Sequence, residues 1–190
     1  MKIIFLEGEN LGEDMVFTPF LHLGEVTIYP STSEKEMPER VKDADIIVAN
    51  KLPMCEETLK DAKNLKLVCL TATGINNLDG EYLKKRGIHA CNVAGYSTDA
   101  VAQHTFALIL ELTNLAGRYN AAIQAGRWYK SNDFTFNAGS LTLLDGKSLG
   151  IIGYGNIGRR VARIGEAFGM KINIYSQERE AAIKSDFITL

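Results

Sequence analysis

Ser148-Leu149-Gly150-Ile151-Ile152-Gly153-Tyr154-Gly155-Asn156-Ile157-Gly158-Arg159-Arg160-Val161-Ala162 is the stretch on which the reading of this chain turns. A short apolar run over 149–153 enters Gly153-x-Gly155-x-x-Gly158 directly, and a helical pattern follows over 156–168. Three glycines in that spacing, with a strand before and a helix after, form a dinucleotide-binding fingerprint; without that context they would be a glycine-rich loop. Each glycine has a physical task. Gly153 permits the tight turn off the strand, Gly155 lets the backbone approach a pyrophosphate, and Gly158 allows helix and strand to pack closely. Asn156, Ile157 and Gly158 open the helix, where free N–H groups and the helix dipole favour phosphate charge.

Outward from this unit, 171–175 is the next strand, and Gly169 ends the intervening helix just beyond its last turn. A further strand is expected at 187–190. On the other side, one long helix starts at Thr98, with Ser97, Thr98 and Asp99 as capping candidates. Its apolar residues, Val101, Phe106, Leu108, Ile109, Leu112 and Leu115, are nearly continuous, which implies burial on more than one side, between two domains. A loop-rich connection over 126–145 joins it to the glycine unit.

Residues 1–97 alternate strand and helix. Strands are expected at 2–6, 25–29, 45–49, 67–70 and 89–93, with helical stretches such as 34–42 and 56–62 between them. Continuous apolar strands separated by helices predict a parallel sheet covered on both faces, in an open doubly wound fold. The fold class is therefore α/β, with domain boundaries at 1–97, 98–144 and 145–190. A dinucleotide domain contains two βαβαβ halves, and 145–190 holds the first of them. An apolar strand at the very end leaves an uncovered edge, so the chain is expected to be part of a longer protein.

Composition narrows the function classes. Hydrophobic residues make up 46% and charged residues 23%, as in ordinary globular proteins. A net charge of -2 gives no electrostatic reason to expect nucleic acid or an anionic membrane as partner. The N-terminal apolar run is too short for a signal peptide, and no stretch reaches the roughly 18 apolar residues of a membrane span. Cys55, Cys69 and Cys91 are odd in number and lack metal-ligand spacing, so they are expected to be reduced and interior. The expected location is the cytoplasm, with no metal.

A family resemblance rests on four further motifs. They are Thr71-Ala72-Thr73-Gly74-Ile75-Asn76-Asn77-Leu78-Asp79, then Arg86-Gly87-Ile88, then Asn92-Val93-Ala94-Gly95-Tyr96-Ser97-Thr98 with Val101-Ala102-Gln103-His104-Thr105, and last Leu144-Asp145-Gly146-Lys147 leading to Phe168-Gly169-Met170. In this order and across nearly the whole chain, the sequence resembles the D-isomer-specific 2-hydroxyacid dehydrogenases. The Asn50-Lys51 pair and the Gly-Tyr-Ser-Thr run look most like the D-glycerate dehydrogenase (hydroxypyruvate reductase) branch. The resemblance implies a flavodoxin-like substrate domain followed by a Rossmann dinucleotide-binding domain, incomplete here. It also implies NAD or NADP as cofactor, a small 2-keto or 2-hydroxy acid as substrate, and a homodimer.

Residue by residue, the resemblance places Thr73 and Gly74 in a loop whose backbone N–H groups take the substrate carboxylate; the plain alternative is a turn after a strand. Lys51 would add positive charge to the same site, or is simply a solvated lysine. Thr105 would lie near the nicotinamide; read alone, it is a helical threonine. Ser176 stands where NAD-preferring members carry an acid for the ribose hydroxyls. That substitution leaves NADP open: Arg179 is available for a 2′-phosphate or is a solvated surface residue, while Glu178 offers an acid two residues late.

The family's hydride-transfer chemistry uses an arginine, a histidine and an acid that tunes it. By resemblance these fall beyond Leu190, so no catalytic residue is assigned within the chain. His22 lies in a variable loop and His89 at a strand start, and His104, on the apolar helix, is expected to be a core histidine. The alternative function is a non-catalytic NAD-binding fragment or sensor lacking the catalytic Arg, Glu and His. A flavin-binding electron carrier would leave the glycine fingerprint unexplained.

Overall fold

The computed structural model describes residues 1–175 and 187–189, and its contacts divide the chain into two units, Met1–Gly95 and Tyr96–Leu190. The first unit begins with β1 (Lys2–Phe5), a 3-10 turn at Gly8–Leu11, α1 (Thr18–Leu21) and β2 (Glu25–Ile28). It continues with α2 (Met37–Val41), β3 (Ile46–Ala49), α3 (Glu56–Leu59), β4 (Leu67–Leu70), α4 (Gly80–Lys85) and β5 (His89–Cys91). The strands form one parallel sheet in the order β2-β1-β3-β4-β5, the flavodoxin-like order. The register aligns Ile4 with Ile47 and Ile47 with Val68, so these side chains share a face. With Leu6, Ala49 and Leu70 they form a core with Met37 and Val41 of α2, Leu59 of α3 and Leu83 of α4. The opposite face buries Ile3 and Phe5, and the Phe5 ring meets Phe17 and Phe20 edge-on at 5.1 Å each.

The helical stretch expected at 34–42 is shorter as folded. Ser33 N–H and Oγ both donate to the Glu36 carboxylate, at 2.8 and 2.7 Å, which holds the preceding residues in a turn. The helix then starts at Met37 with Pro38 in its first turn, where the missing N–H costs nothing.

The second unit holds α5 (Thr98–Asn114), α6 (Ala116–Gln124), β6 (Ser148–Ile152), α7 (Asn156–Ala167), β7 (Lys171–Tyr175) and β8 (Phe187–Thr189). Its described strands are all parallel, in the order β7-β6-β8. Helix α5 packs on α7, placing Ala102, Phe106 and Ile109 in one core with Leu149, Ile151, Val161 and Ala162. The Phe106 and Phe168 rings stack at 5.4 Å.

Two expectations for the long helix need correction. The helix does not run on past Asn114. Leu115 takes a left-handed conformation, φ 53°, and Glu111 receives the Gly117 N–H on its carboxylate at 3.0 Å, so the helix ends and a second one starts at Ala116. Burial is one-sided: Leu108 and Leu112 are exposed, at 54% and 74%. Among the described residues, no helix is long and apolar enough to cross a membrane.

Candidate functional site

In the second unit the glycine loop follows β6 at the point where strand order reverses. The chain passes from β6 to β7 on one side and returns to β8 on the other. The carboxyl ends of neighbouring strands whose connections leave in opposite directions open a crevice, and ligands of doubly wound sheets bind there. Gly153 turns the chain off β6 with φ 91°, a conformation costly for any residue with a Cβ. Its N–H donates to the Tyr175 carbonyl at 2.7 Å, fastening the loop to the end of β7.

Gly158 is held by sterics. A Cβ there would lie 2.2 Å from the Gly153 carbonyl oxygen, so only glycine lets α7 start this close to the loop. Gly155 is the reverse case, since a Cβ on it would meet no atom within 4 Å. That open space lies in front of the first turn of α7. The Arg159 N–H reaches the Gly155 carbonyl at 3.0 Å, and the N–H groups of Asn156, Ile157 and Gly158 precede it without a helical acceptor. A bare backbone, an open approach and oriented N–H dipoles fit a diphosphate. Among the described residues, no cluster of side chains suits a metal ion.

Thr105 is half-buried on α5, and its hydroxyl donates to the Val101 carbonyl at 2.9 Å. It lines an apolar groove of about 520 Å³ with Leu108, Leu112 and Thr189, the last residue of β8. His104 lines the same groove and is exposed, so it is not a core histidine. The periodicity of α5 left its rotation open, and packing against α7 selected Phe106 and Ile109 as the inward residues instead. Ser176, Glu178 and Arg179 lie outside the described residues.

The second constellation stands at the carboxyl edge of the first unit's sheet, where strand order reverses between β1 and β3. Glu7, just past β1, accepts the Asn50 N–H at 2.6 Å and the Lys51 N–H at 3.0 Å on one carboxylate oxygen. This fixes the loop after β3 and leaves the Lys51 side chain exposed. Asn77 clamps the same loop from the other side, its Nδ2 donating to the Leu52 carbonyl at 2.8 Å and the Asn50 carbonyl at 3.3 Å. Met54 and Asp79 complete the tie, with Met54 N–H to the Asn77 carbonyl at 2.7 Å and Asp79 N–H to the Met54 carbonyl at 3.0 Å.

Between these anchors runs the loop after β4. Its base is held by the Val93 N–H to the Ala72 carbonyl at 3.1 Å, by Asn92 Nδ2 to the Thr73 carbonyl at 2.7 Å, and by the Thr73 hydroxyl to the Val93 carbonyl at 3.2 Å. The tip is exposed, and the N–H groups of Gly74, Ile75 and Asn76 make no hydrogen bond among the described residues. A Cβ on Gly74 would meet only the Asn76 side-chain oxygen, at 3.6 Å. Such a row of exposed amide donors beside a lysine suits a carboxylate. Thr73, Gly74 and Lys51 thus share one sheet edge. Glu7 carries no sequence signal beyond being a polar residue just after a strand, while Asn77 and Asn92 stand in motifs that carry the family resemblance without any local sign of their clamping role.

Residues 6–188 match the family described as D-isomer specific 2-hydroxyacid dehydrogenase, catalytic domain. A hydroxypyruvate reductase of Blautia hydrogenotrophica is 37% identical over 190 residues, covering 98% of this chain and 59% of that protein. A glycerate dehydrogenase of Methylorubrum extorquens is 33% identical, covering 100% of this chain and 62% of that protein. Among solved structures, D-lactate dehydrogenase from Aquifex aeolicus, complexed with NAD and lactic acid, superposes with a TM-score of 0.71 at 28% identity, covering 98% of this chain and 55% of that one. The chain spans about three-fifths of the length of the curated relatives it matches.

Proposed function

The chain belongs to the D-isomer-specific 2-hydroxyacid dehydrogenase family, and on that premise we propose that the protein interconverts a small D-2-hydroxy acid and its 2-keto acid with a nicotinamide cofactor. The observation that carries the reading is the bare cradle at the β6 reversal, where Gly155 leaves open space and Gly158 admits nothing larger. The residues present fit a dinucleotide. Gly153, Gly155, Asn156, Ile157 and Gly158 would hold the pyrophosphate with backbone donors, Thr105 would border the nicotinamide side, and Ser176 would face the adenosine ribose. The bound nicotinamide supplies or accepts the hydride.

The chain's own part is binding and orientation. The exposed N–H groups after Thr73, together with Gly74, would take the carboxylate common to all 2-keto acids, and Lys51 would add a positive charge at its rim. Hydroxypyruvate heads the substrate list because a relative so named is 37% identical over nearly the whole chain; glyoxylate and pyruvate follow. NAD is the first cofactor and NADP the second, since the family precedent favours NAD while the acid that rejects a 2′-phosphate is replaced by Ser176. A cytoplasmic homodimer completes the proposal, and light scattering of the purified protein tests the dimer.

The test is spectrophotometric. With hydroxypyruvate, glyoxylate and pyruvate each supplied in turn to the full-length protein, which by resemblance carries the catalytic Arg, Glu and His beyond Leu190, loss of NADH or NADPH absorbance is expected with at least one of them. Retained NADH binding without turnover of any keto acid would favour the sensor reading. Failure to bind either dinucleotide would overturn the cradle itself.

A further inference from the structure

Cys69 of β4 and Cys91 of β5 are register partners on adjacent parallel strands, so their side chains leave the same face of the sheet. That face is opposite the core that takes Val68 and Leu70. Their Sγ atoms stand 3.5 Å apart, both thiols are free, and Cys91 is exposed while Cys69 is half-buried. A disulfide needs sulfurs about 2.0 Å apart and spans Cα separations of about 4.4–6.8 Å. Neighbouring strands already lie about 4.8 Å apart, so side-chain rotation closes the gap with the ladder in place.

We infer that Cys69 and Cys91 form an oxidisable dithiol, a modification site that closes to an intramolecular disulfide by exchange with a small disulfide such as oxidised glutathione. The exposed Cys91, as thiolate, attacks one sulfur of the glutathione disulfide, forms a mixed disulfide and releases one glutathione thiolate. Cys69 then gives its proton to solvent and attacks the Cys91 sulfur, and the second glutathione leaves as its thiolate. The two protein thiols are oxidised, and one glutathione disulfide is reduced to two thiols. Burial, and then the adjoining Cys91 sulfur, push the Cys69 thiol up to about 12, which makes Cys69 the resolving partner and Cys91 the point of entry. Cys55, whose thiol donates to the Glu57 carboxylate at 2.9 Å at the start of α3, has no cysteine partner and takes no part.

The bond would sit at the root of the loop described above. Cys69 is two residues before Thr71, and Asn92 and Val93, directly after Cys91, hold the base of that loop. Oxidation therefore staples the two strands from which the loop is hung. The chemistry of the pair does not depend on what the loop binds.

The experiment incubates the purified protein with oxidised glutathione, blocks remaining thiols with iodoacetamide and digests with trypsin without reduction. Lys84, Lys85 and Arg86 lie between the two cysteines, so their peptides separate unless bonded. The expected result is a Cys69–Cys91 cross-linked peptide that disappears on reduction, with Cys55 alkylated. In Cys69→Ser the reaction should stop at a glutathione adduct on Cys91. A wild-type protein that keeps all three cysteines alkylated, or that halts at the Cys91 adduct, overturns the inference whatever the variant does.

Discussion

Replacing Gly158 with alanine tests the geometry on which the dinucleotide reading rests. The added Cβ would fall 2.2 Å from the Gly153 carbonyl oxygen and 3.2 Å from Ile151 Cγ2. Real Cβ contacts essentially never come below 3.0 Å, so oxygen and helix must separate by about an ångström. Overpacking costs about 1–3 kcal/mol, and a backbone obstacle puts this case at the upper end. Alanine returns about 1 kcal/mol of helix propensity over glycine, leaving a net loss of about 2 kcal/mol. For a unit of this size that lowers its melting temperature by about 8–16 °C. The same displacement carries the Asn156 and Ile157 N–H groups away from the loop, so NADH affinity should fall at least tenfold, about 1.4 kcal/mol. Gly155→Ala is the matched control. Nothing lies within 4 Å of its Cβ, so the fold should tolerate the methyl while NADH binding weakens because the approach is blocked. Calorimetric melting and NADH fluorescence titration of both variants separate the two effects. A Gly158→Ala protein that melts within a degree or two of wild type and binds NADH equally well would refute the packing argument.

Glu7→Gln keeps the side-chain size but removes the charge that holds the Asn50 and Lys51 N–H groups, a loss of about 1–2 kcal/mol. It should raise KM for the keto acid more than it lowers kcat, and an unchanged KM would separate Glu7 from the binding loop. Lys51→Ala, an exposed position, should leave the melting temperature unchanged and raise KM; an unchanged KM would make Lys51 a solvated lysine. Asp45 offers a pH test. The Lys66 ammonium at 2.8 Å and the Lys2 N–H at 2.8 Å hold its carboxyl below the usual carboxylate range. Such a group stabilises the fold fully above its unfolded pKa and ceases to do so as pH falls through the lowered folded value. Asp45→Asn should therefore melt below wild type at neutral pH, with the gap closing in acid. A gap of constant size across that range would mean that the ionised carboxylate is not what matters.

The α/β fold was legible because short apolar runs alternate with helical stretches, and the sequence marks all five strands of the first unit within a residue or two at their ends, although the edge strand β5 is exposed along its length. The glycine loop was legible for a related reason: Gly153 and Gly158 are demanded by local geometry, a positive φ and a clash within five residues. What sequence could not reveal is long-range or depends on packing. Glu7 finds its partners 43 and 44 residues away, and Asn77 reaches back 25 residues to Leu52, so neither signals its role locally. The break at Leu115 is a left-handed leucine, which propensity disfavours and which the Glu111 carboxylate on Gly117 helps to fix. His104 lies among mostly apolar residues in sequence, and these do not say which side of a helix will face α7.

Both candidate sites use one physical device, a loop at the carboxyl edge of a parallel sheet with backbone N–H groups turned outward, at the strand-order reversal in the second unit and one strand beyond it in the first. Backbone donors read negative charge and little else, so a carboxylate or a diphosphate is recognised whatever it is attached to. This explains why the glycine fingerprint points to a class of ligand from sequence alone, whereas the carboxylate role of the Thr73–Gly74 loop rests on the family resemblance. On the proposed reading, discrimination among keto acids comes from side chains at the rim, where Lys51, Thr73, Ile75 and Asn76 are exposed. The Thr73 hydroxyl is already committed to the Val93 carbonyl at 3.2 Å, so it shapes the loop more than it samples the ligand. Lys51 is the charged group among them, and the one proposed to change ligand preference. A Lys51 variant should accordingly shift the ratio of kcat/KM between hydroxypyruvate and pyruvate, whereas Glu7→Gln should lower both together, because it loosens the loop without touching the rim.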